Sequence, residues 1–458
     1  MKKKVKWLLI LFVILGLTLW VGSRWSAWFH NPEEPPYAAS PTPHRVLLTY
    51  GDKDGLSRNV SWQCDSVVKP SWVELICLDD TLNAPPSTLP ASGEIFVSRS
   101  GKAAYYVARL RHLQPGRQYA YRVVTDGKCS PYYTFRVLPP ERSQLSFLYV
   151  GDVQDSVGGQ TNVYLREAIR RHPQTELLVC GGDFTERPMD SYWAESFRSI
   201  DSLAQHMPFL CVTGNHDYLK GVIMKLERRF PLVLSYFLDS QIGDNQVFTV
   251  CDGPVQFFLL DSNREFFYLT TQRTWLEQQL SNSTARWKIV ILHHPLFSIQ
   301  GNNNLIQRWM FNDLIEEYGV DLVLQGHEHA YARMTRHDEA GMPVTPVYTI
   351  SHCSPKNYRI EFDDRFDKFG ISSRYYQTVD ISGDTLTMAT YEVYGHTLYD
   401  SLQIVKSPNG VPLVRDYGKN IAENMEFTPS PDSKKDQAFA ERIADYKHRH
   451  PERLKKLK

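Results

Sequence analysis

Short apolar runs, each ending in a cluster of polar residues, recur along the middle of the chain. The runs are LSFLYV, ELLVC, PFLCV, KIVILHH and DLVLQ, and the clusters are GDVQD (151–155), GGDFTER (181–187), GNHD (214–217), HHP (293–295) and GHEHAYAR (326–333). Uninterrupted apolar runs of this length predict buried strands, so each cluster falls in the loop at a strand's carboxyl end. Open α/β sheets bind their ligands at that edge, and we expect the five clusters to converge there.

A different pattern precedes this region. From 44 to 140, short segments of alternating polar and apolar residues are separated by turn residues, as in RVLLTY, NVSWQC and QYAYRVV. This spacing predicts a β-sandwich. Residues 138–144, LPPERSQ, then read as a linker, and 145–405 as an α/β domain in which helices of period 3.6 alternate with the strands.

The two ends of the chain have their own patterns. MKKKVK is followed by an uncharged apolar stretch from Trp7 to Ser23, so residues 1–30 are predicted to be a signal-anchor or signal peptide, and we favour the anchor. Residues 31–43 are Pro-rich and predict an extended spacer. Residues 410–458 are predicted to form a polar, partly helical tail with a solvated helix.

Composition narrows the classes of function. Among 458 residues, Lys plus Arg and Asp plus Glu each total 51, so no net charge favours nucleic acid, and none is expected as a partner. The basic start should stay inside the cell and the rest outside, either on the cell membrane or secreted if the segment is cleaved. Seven cysteines form no CxxC pair; Cys180 and Cys211 are predicted to be buried thiols, while Cys64, Cys77 and Cys129 leave room for one disulfide.

The polar clusters supply carboxylate, amide and imidazole groups without a thiolate. Such donors suit hard or borderline metal ions. Asp183 lies in the middle of the set and is the natural bridge between two ions, which could activate a water and clamp the oxygens of a displacement at phosphorus. The candidate metal ligands are Asp152, Asp183, Asn215, His293, His327 and His329.

These motifs resemble those of the calcineurin-like metallophosphoesterases, and GHEHAYAR with an upstream β-domain is most similar to the purple acid phosphatase branch. The resemblance implies an N-terminal fibronectin type III-like sandwich, in which Tyr119 makes the tyrosine corner, followed by a four-layer α/β/β/α sandwich. It also implies two divalent or trivalent metal ions (Fe, Mn or Zn). Asp152, Asp183 and His329 would hold the first ion, and Asp183, Asn215, His293 and His327 the second. His216 would assist the leaving group.

The chain departs from the family pattern at the first ion. Where the family has a histidine two residues after the first aspartate, or a tyrosine three residues after the bridging one, this sequence has Gln154 and Glu186. A carboxylate donates more negative charge than an amide, so Glu186 is preferred over Gln154 to complete the shell of the first ion. The alternative is that Glu186 is a surface carboxylate or a partner of Arg187. Without the tyrosine that gives purple acid phosphatases their colour, the protein should not be purple.

Other residues near the motifs are assigned supporting roles. Candidates for contact with the substrate are His294, Arg333 and His352. The leading substrate is a small phosphate monoester, attacked by a hydroxide that bridges the metals. A phosphodiesterase or nucleotide pyrophosphatase could use the same groups, and a weakly active phosphate- or glycan-binding domain is a third alternative.

Overall fold

The computed structural model describes residues 2–80, 85–236, 242–243, 246–301, 303–407 and 412–455. The chain begins with a long helix, α1 (Lys2–Phe29), whose segment Val5–Ser26 is long and apolar enough to cross a membrane. None of that segment is buried against the rest of the molecule.

The N-terminal domain is built from eight antiparallel strands. They are β1 (His44–Tyr50), β2 (Arg58–Gln63), β3 (Ser71–Cys77), β4 (Ser87–Val97), β5 (Lys102–Leu110), β6 (Gln118–Thr125), β7 (Lys128–Cys129) and β8 (Tyr133–Arg136). The first part of β4 pairs with β3 and the second part with β5, so this strand links two faces that enclose one core. The Tyr119 hydroxyl accepts a 2.8 Å bond from the Gln114 backbone N–H, which is the predicted tyrosine corner.

The second domain contains a sheet of fourteen strands. They are β9 (Gln144–Val150), β10 (Leu177–Cys180), β11 (Phe209–Cys211), β14 (Phe248–Asp252), β15 (Val255–Leu259), β16 (Trp287–Ile291), β17 (Leu322–Gln325), β18 (Tyr331–His337), β19 (Pro343–Ile350), β20 (Lys368–Gly370), β21 (Tyr375–Ser382), β22 (Thr385–Glu392), β23 (Leu398–Val405) and β24 (Leu413–Asp416). A separate hairpin consists of β12 (Tyr218–Leu219) and β13 (Lys225–Leu226).

The large sheet folds over on itself, so that its two halves face each other. Phe147 of β9 and Phe257 of β15 meet edge to face at 5.5 Å, although they lie in opposite halves. Helices cover the outer faces: α2 (Thr161–Arg171), α3 (Asp190–Ile200), α5 (Phe266–Ser281), α6 (Leu305–Glu317) and α7 (Lys434–Arg449). The short helix α4 (Arg229–Val233) packs against β2 and β5 of the N-terminal domain. The predicted order of a β-rich domain followed by a layered α/β domain is confirmed.

Residues 30–43, here called the strap, include the predicted spacer 31–43; they form no helix or strand, but they are bound to the folded domains. The Asn31 amide and the Lys220 backbone exchange two bonds of 2.8 Å, and the Glu34 carboxylate is buried against the Arg229 guanidinium at 2.6 Å. A buried charge is tolerated where it is paired, and Arg229 provides that pairing. Proline content indicated an extended chain, but it did not reveal that Glu34 has a buried partner.

The predicted tail is also corrected. Strand β24 pairs with β19 and β23, so the sheet continues past residue 410. Helix α7 is not fully solvated, because Phe439, Ile443 and Tyr446 are buried in the core. All seven cysteines are free, so the possible disulfide in the N-terminal domain does not form, whereas Cys180 and Cys211 are buried as predicted.

Candidate metal centre

Strands with parallel partners carry the candidate ligands to one edge of the folded sheet. β9, β10 and β11 run parallel and lead to Asp152, Asp183 and Asn215, while β16 and β17 run parallel and lead to His293 and His327. The backbone at Asp152, Asp183 and His327 has φ of 46°, 47° and 71°. Non-glycine residues rarely adopt these values, and such strain accumulates at functional sites.

Asp183 lies at the centre of the cluster. One ligand atom from each of Asp152, Asp183 and His293 lies within 4.8 Å of the others, and all three side chains are buried. The Asp183 Oδ2 atom is 3.3 Å from His293 Nε2, and its Oδ1 atom accepts a 2.8 Å bond from the His216 backbone N–H. A Cβ atom at Gly214 would come within 2.1 Å of Asp183 Oδ1, so this close approach requires glycine.

On one side of Asp183 stands what we call the Asn215 half: Asn215, His293 and His327. The Asn215 Oδ1 atom lies 3.1 Å from His293 Nε2 and 2.8 Å from His327 Nδ1. His293 Nδ1 donates to the Gly181 carbonyl at 2.9 Å, so Nε2 is the ring nitrogen that faces the cluster and is available to a metal ion. Metal-binding histidines are commonly held in this way.

On the other side stands the Asp152 half: Asp152, Gln154 and His329. His329 Nε2 is 3.3 Å from Asp152 Oδ1 and 3.1 Å from Gln154 Nε2. Asp152 Oδ1 and Gln154 Oε1 are buried and have no hydrogen-bond partner among the described residues. Buried acceptors without a donor are costly, and a cation would satisfy them. The donor set therefore fits a metal ion on this side as well.

Glu186 does not join this cluster as preferred from the sequence. Its carboxylate binds the Lys356 ammonium through both oxygens, at 2.6 Å and 2.7 Å. The Gln154 amide, by contrast, lies beside His329. Exchanging the amide oxygen and nitrogen leaves the shape of the side chain unchanged, so Oε1 can face the ion whichever end of the amide is turned toward His329. The structure thus reverses our preference, and Gln154 is the better candidate to complete the Asp152 half.

The buried carboxylates of the cluster require positive charge nearby. Burial would lower the pKa of His293, but the negative charges of Asp183 and Asp152 and the hydrogen bonds of the ring together outweigh burial and raise the pKa to about 10. Burial favours the neutral acid at Asp183, yet the nearby imidazoles His293 and His216 hold the pKa of Asp183 below its usual range. A protonated imidazole therefore compensates the carboxylates, which is the task a metal ion performs.

His216 lies at the mouth of the cleft and is partly exposed. Its Nδ1 atom donates to the Glu186 carbonyl at 2.7 Å, so Nε2 is the nitrogen that is free to exchange a proton. Nε2 is 4.0 Å from Asp183 Oδ2. The arrangement places a proton-transfer group beside the ligand cluster without making it part of the cluster.

The residues predicted to contact substrate separate into two groups. His294 lies at the site: its Nδ1 atom pairs with the Ser262 hydroxyl at 3.0 Å, and its ring is 4.3 Å from that of His327. His352 is buried and stacks on His329 at 5.4 Å, which makes it a packing neighbour rather than a residue of the cleft surface.

The structure corrects the prediction that Arg333 contacts the substrate. Its guanidinium is fully buried and forms ion pairs with Asp367, Asp400 and Asp416 at 2.7 to 3.0 Å. Three carboxylates occupy its donors, so it stabilises the fold and is not directed at a substrate.

Sequence reasoning missed Tyr358, whose ring stacks on His329 at 4.3 Å and 3°. Tyr358 lies in the loop after β19, far from any motif, and no periodicity or spacing marks it.

Both domains are similar to those of known proteins. Residues 145–331 match the model of the calcineurin-like phosphoesterases, and residues 43–137 match that of the purple acid phosphatase N-terminal domain. Purple acid phosphatase 4 of Arabidopsis thaliana is 26% identical over 61% of this chain and 90% of its own length.

Two solved structures share the fold. The purple acid phosphatase PPD1 from yellow lupin aligns over 80% of this chain and 75% of its own, with a TM-score of 0.68 and 16% identity. A structure of PhoD aligns over 92% of this chain and all of its own, with a TM-score of 0.59 and 13% identity.

Fold and site together define a metal-dependent phosphoester hydrolase. The chain carries a calcineurin-like phosphoesterase domain and the N-terminal domain of the purple acid phosphatases, and these domains imply a dinuclear metal centre.

Proposed function

We propose that the protein is a phosphomonoesterase, anchored by α1 in a cell membrane with both folded domains outside. The observation that carries the proposal is the convergence of Asp152, Asp183, Asn215 and three imidazoles beside His216. Two bound metal ions would activate water and neutralise charge on the phosphoryl group. We assign Asp183 to both ions, the Asn215 half to one and the Asp152 half to the other.

The protein's own groups orient this chemistry. The Gly181 carbonyl fixes the ring of His293, and the Glu186 carbonyl fixes that of His216. Because Nδ1 of His216 is engaged, its Nε2–H can donate to the oxygen that leaves phosphorus. His294 lines the pocket and is held by Ser262.

The test of chemistry uses the purified full chain. Metal content is measured by elemental analysis, and turnover is compared on para-nitrophenyl phosphate and bis-para-nitrophenyl phosphate. We expect bound metal and preferential hydrolysis of the monoester. Faster hydrolysis of the diester would replace the proposal with a phosphodiesterase, and metal without turnover of either would leave only a binding domain.

The test of location is independent of chemistry. Positive residues precede the apolar segment of α1, so the domains should lie outside the cytoplasm. Protease added to cells with a permeabilised outer envelope should digest them while a cytoplasmic control survives. Equal protection of both would overturn the assignment. Amino-terminal sequencing of the membrane fraction separates an anchor from a cleaved signal, since cleavage predicts a mature start after Ser23.

A further inference from the structure

The end of α1 forms part of the wall of the candidate active-site cleft. This cleft, of about 830 Å³, is lined by Ser23 and Ser26 of the last turns of α1 and by Asn215 and His216 of the metal centre. The helix ends at Phe29, and the neighbouring strap already binds the catalytic domain at Asn31. Two residues of extended chain span only about 7 Å. The cleft therefore opens close to the point where α1 leaves the apolar layer.

The strap makes this placement rigid. Besides the paired bonds between Asn31 and Lys220, the Arg99 guanidinium donates to the Pro32 carbonyl at 2.6 Å. The Glu34 carboxylate accepts from the Asp190 backbone N–H at 2.9 Å in addition to its ion pair with Arg229. A flexible spacer would let the domain move away from the bilayer, whereas these contacts hold the end of α1 close to the catalytic domain.

The hairpin of β12 and β13 adds an independent feature beside the same exit. Its tip, residues 220–224, presents Val222, which is 92% exposed, and Ile223, which is 72% exposed, between Lys220 and Lys225. Lys220 is the residue bound by Asn31. Apolar side chains that protrude from a short hairpin between lysines are typical of segments that enter a membrane interface, where the ammonium groups meet anionic lipid.

More exposed apolar residues lie on this edge of the sheet. Helices α5 and α6 begin after β15 and the loop of His293, and their first two turns expose Phe267, Ile306 and Trp309. Exposed apolar groups concentrated on a functional face indicate an interaction surface rather than random surface composition.

We propose that the substrate is a phosphomonoester carried by a lipid of the same bilayer that holds α1, with the tip Val222–Ile223 inserted in the bilayer interface beside the cleft. The inference rests on the proposed function of an anchored phosphomonoesterase and names its substrate class. Arg187 and Lys220 also line the cleft, and their positive charge suits a phosphate headgroup. A headgroup at the interface is then within reach of His216, while its acyl or prenyl chains remain in the membrane.

The experiment uses the full chain reconstituted in phosphatidylcholine vesicles. Release of inorganic phosphate is measured from phosphatidic acid or a long-chain prenyl monophosphate in the same bilayer, and from para-nitrophenyl phosphate in the surrounding buffer. The test variants are Ile223→Asp and the milder Ile223→Ser. The matched control is Met342→Asp, because Met342 is half exposed in the β18–β19 turn at the opposite edge of the sheet.

We expect Ile223→Asp to lower turnover of the lipid about tenfold or more, because an interfacial apolar contact is replaced by a charge. Turnover of para-nitrophenyl phosphate and metal content should stay unchanged, and Met342→Asp should affect neither substrate. Hydrolysis of para-nitrophenyl phosphate without hydrolysis of either lipid would overturn the lipid assignment alone. Equal loss on both substrates in Ile223→Asp and Ile223→Ser would also overturn it, whereas a wild-type protein inactive on every substrate would overturn the proposed function itself.

Discussion

The two halves of the candidate metal centre are built from the same kinds of side chain but are supported differently. In the Asn215 half, one amide oxygen lies within 3.1 Å of two imidazoles, and each of these groups follows a parallel strand. In the Asp152 half, two buried acceptor oxygens lack donors among the described residues, and a glutamine stands where the family has a histidine. Residues at strand ends are thus enough to specify the Asn215 half, whereas the Asp152 half also depends on Gln154 and on the loop that carries Tyr358.

The largest effect is expected from removing the Asn215 half. His327→Ala should lose the ion on that side and lower turnover by more than the ~10² to 10⁴-fold that a single proton-transfer group supplies. Elemental analysis and para-nitrophenyl phosphate turnover measure both results. His337→Ala, at an exposed position of β18, serves as the control. Retention of all metal in His327→Ala would remove this residue from the centre.

His216 should behave differently from every ligand. His216→Ala is expected to keep its full metal content yet lose about two to four orders of magnitude in turnover, because the leaving oxygen loses its proton donor. Turnover like that of wild type with intact metal would exclude His216 from the mechanism.

Two substitutions test which of Gln154 and Glu186 completes the Asp152 half. Gln154→Ala should weaken metal binding by about 10- to 100-fold, an effect typical of losing a group at the edge of a metal shell. Glu186→Gln should change metal content less, because the Glu186 carboxylate is paired with Lys356. Both variants are dialysed identically before elemental analysis. A greater loss in Glu186→Gln would restore the preference drawn from the sequence.

The smallest expected effect is the release of a proton from His293 when the Asn215 half binds a metal ion. Burial alone would lower the pKa of His293, but the charges of Asp183 and Asp152 and the hydrogen bonds of the ring together raise this pKa to about 10 in the metal-free protein. The imidazole is then protonated at pH 8 and must lose that proton to bind an ion, so apparent affinity should fall as pH is lowered. Calorimetry of metal binding in buffers of different ionisation enthalpy should detect the released proton. Absence of proton release at pH 8 would contradict this state of His293.

The sequence predicted the α/β sheet and its ligand-bearing loops because their information is local: an apolar run ends, and Asp183 or His293 follows. It could not predict contacts between distant segments. Glu34 looked like part of a spacer until Arg229, about two hundred residues away, proved to be its partner. Arg333 is predicted from the sequence to contact substrate, but its guanidinium is paired with the carboxylates of Asp400 in β23 and Asp416 in β24. Charge alone favours Glu186 over Gln154 as the group that completes the Asp152 half, but the Glu186 carboxylate is paired with Lys356.

The most direct measurement is the metal content per chain of wild type, His327→Ala and Asp183→Ala after identical dialysis. If Asp183 joins two metal positions, wild type should hold two ions, His327→Ala should hold fewer, and Asp183→Ala should hold essentially none. Two ions retained in folded Asp183→Ala would contradict the account, because the carboxylate at the centre of both halves would then hold neither.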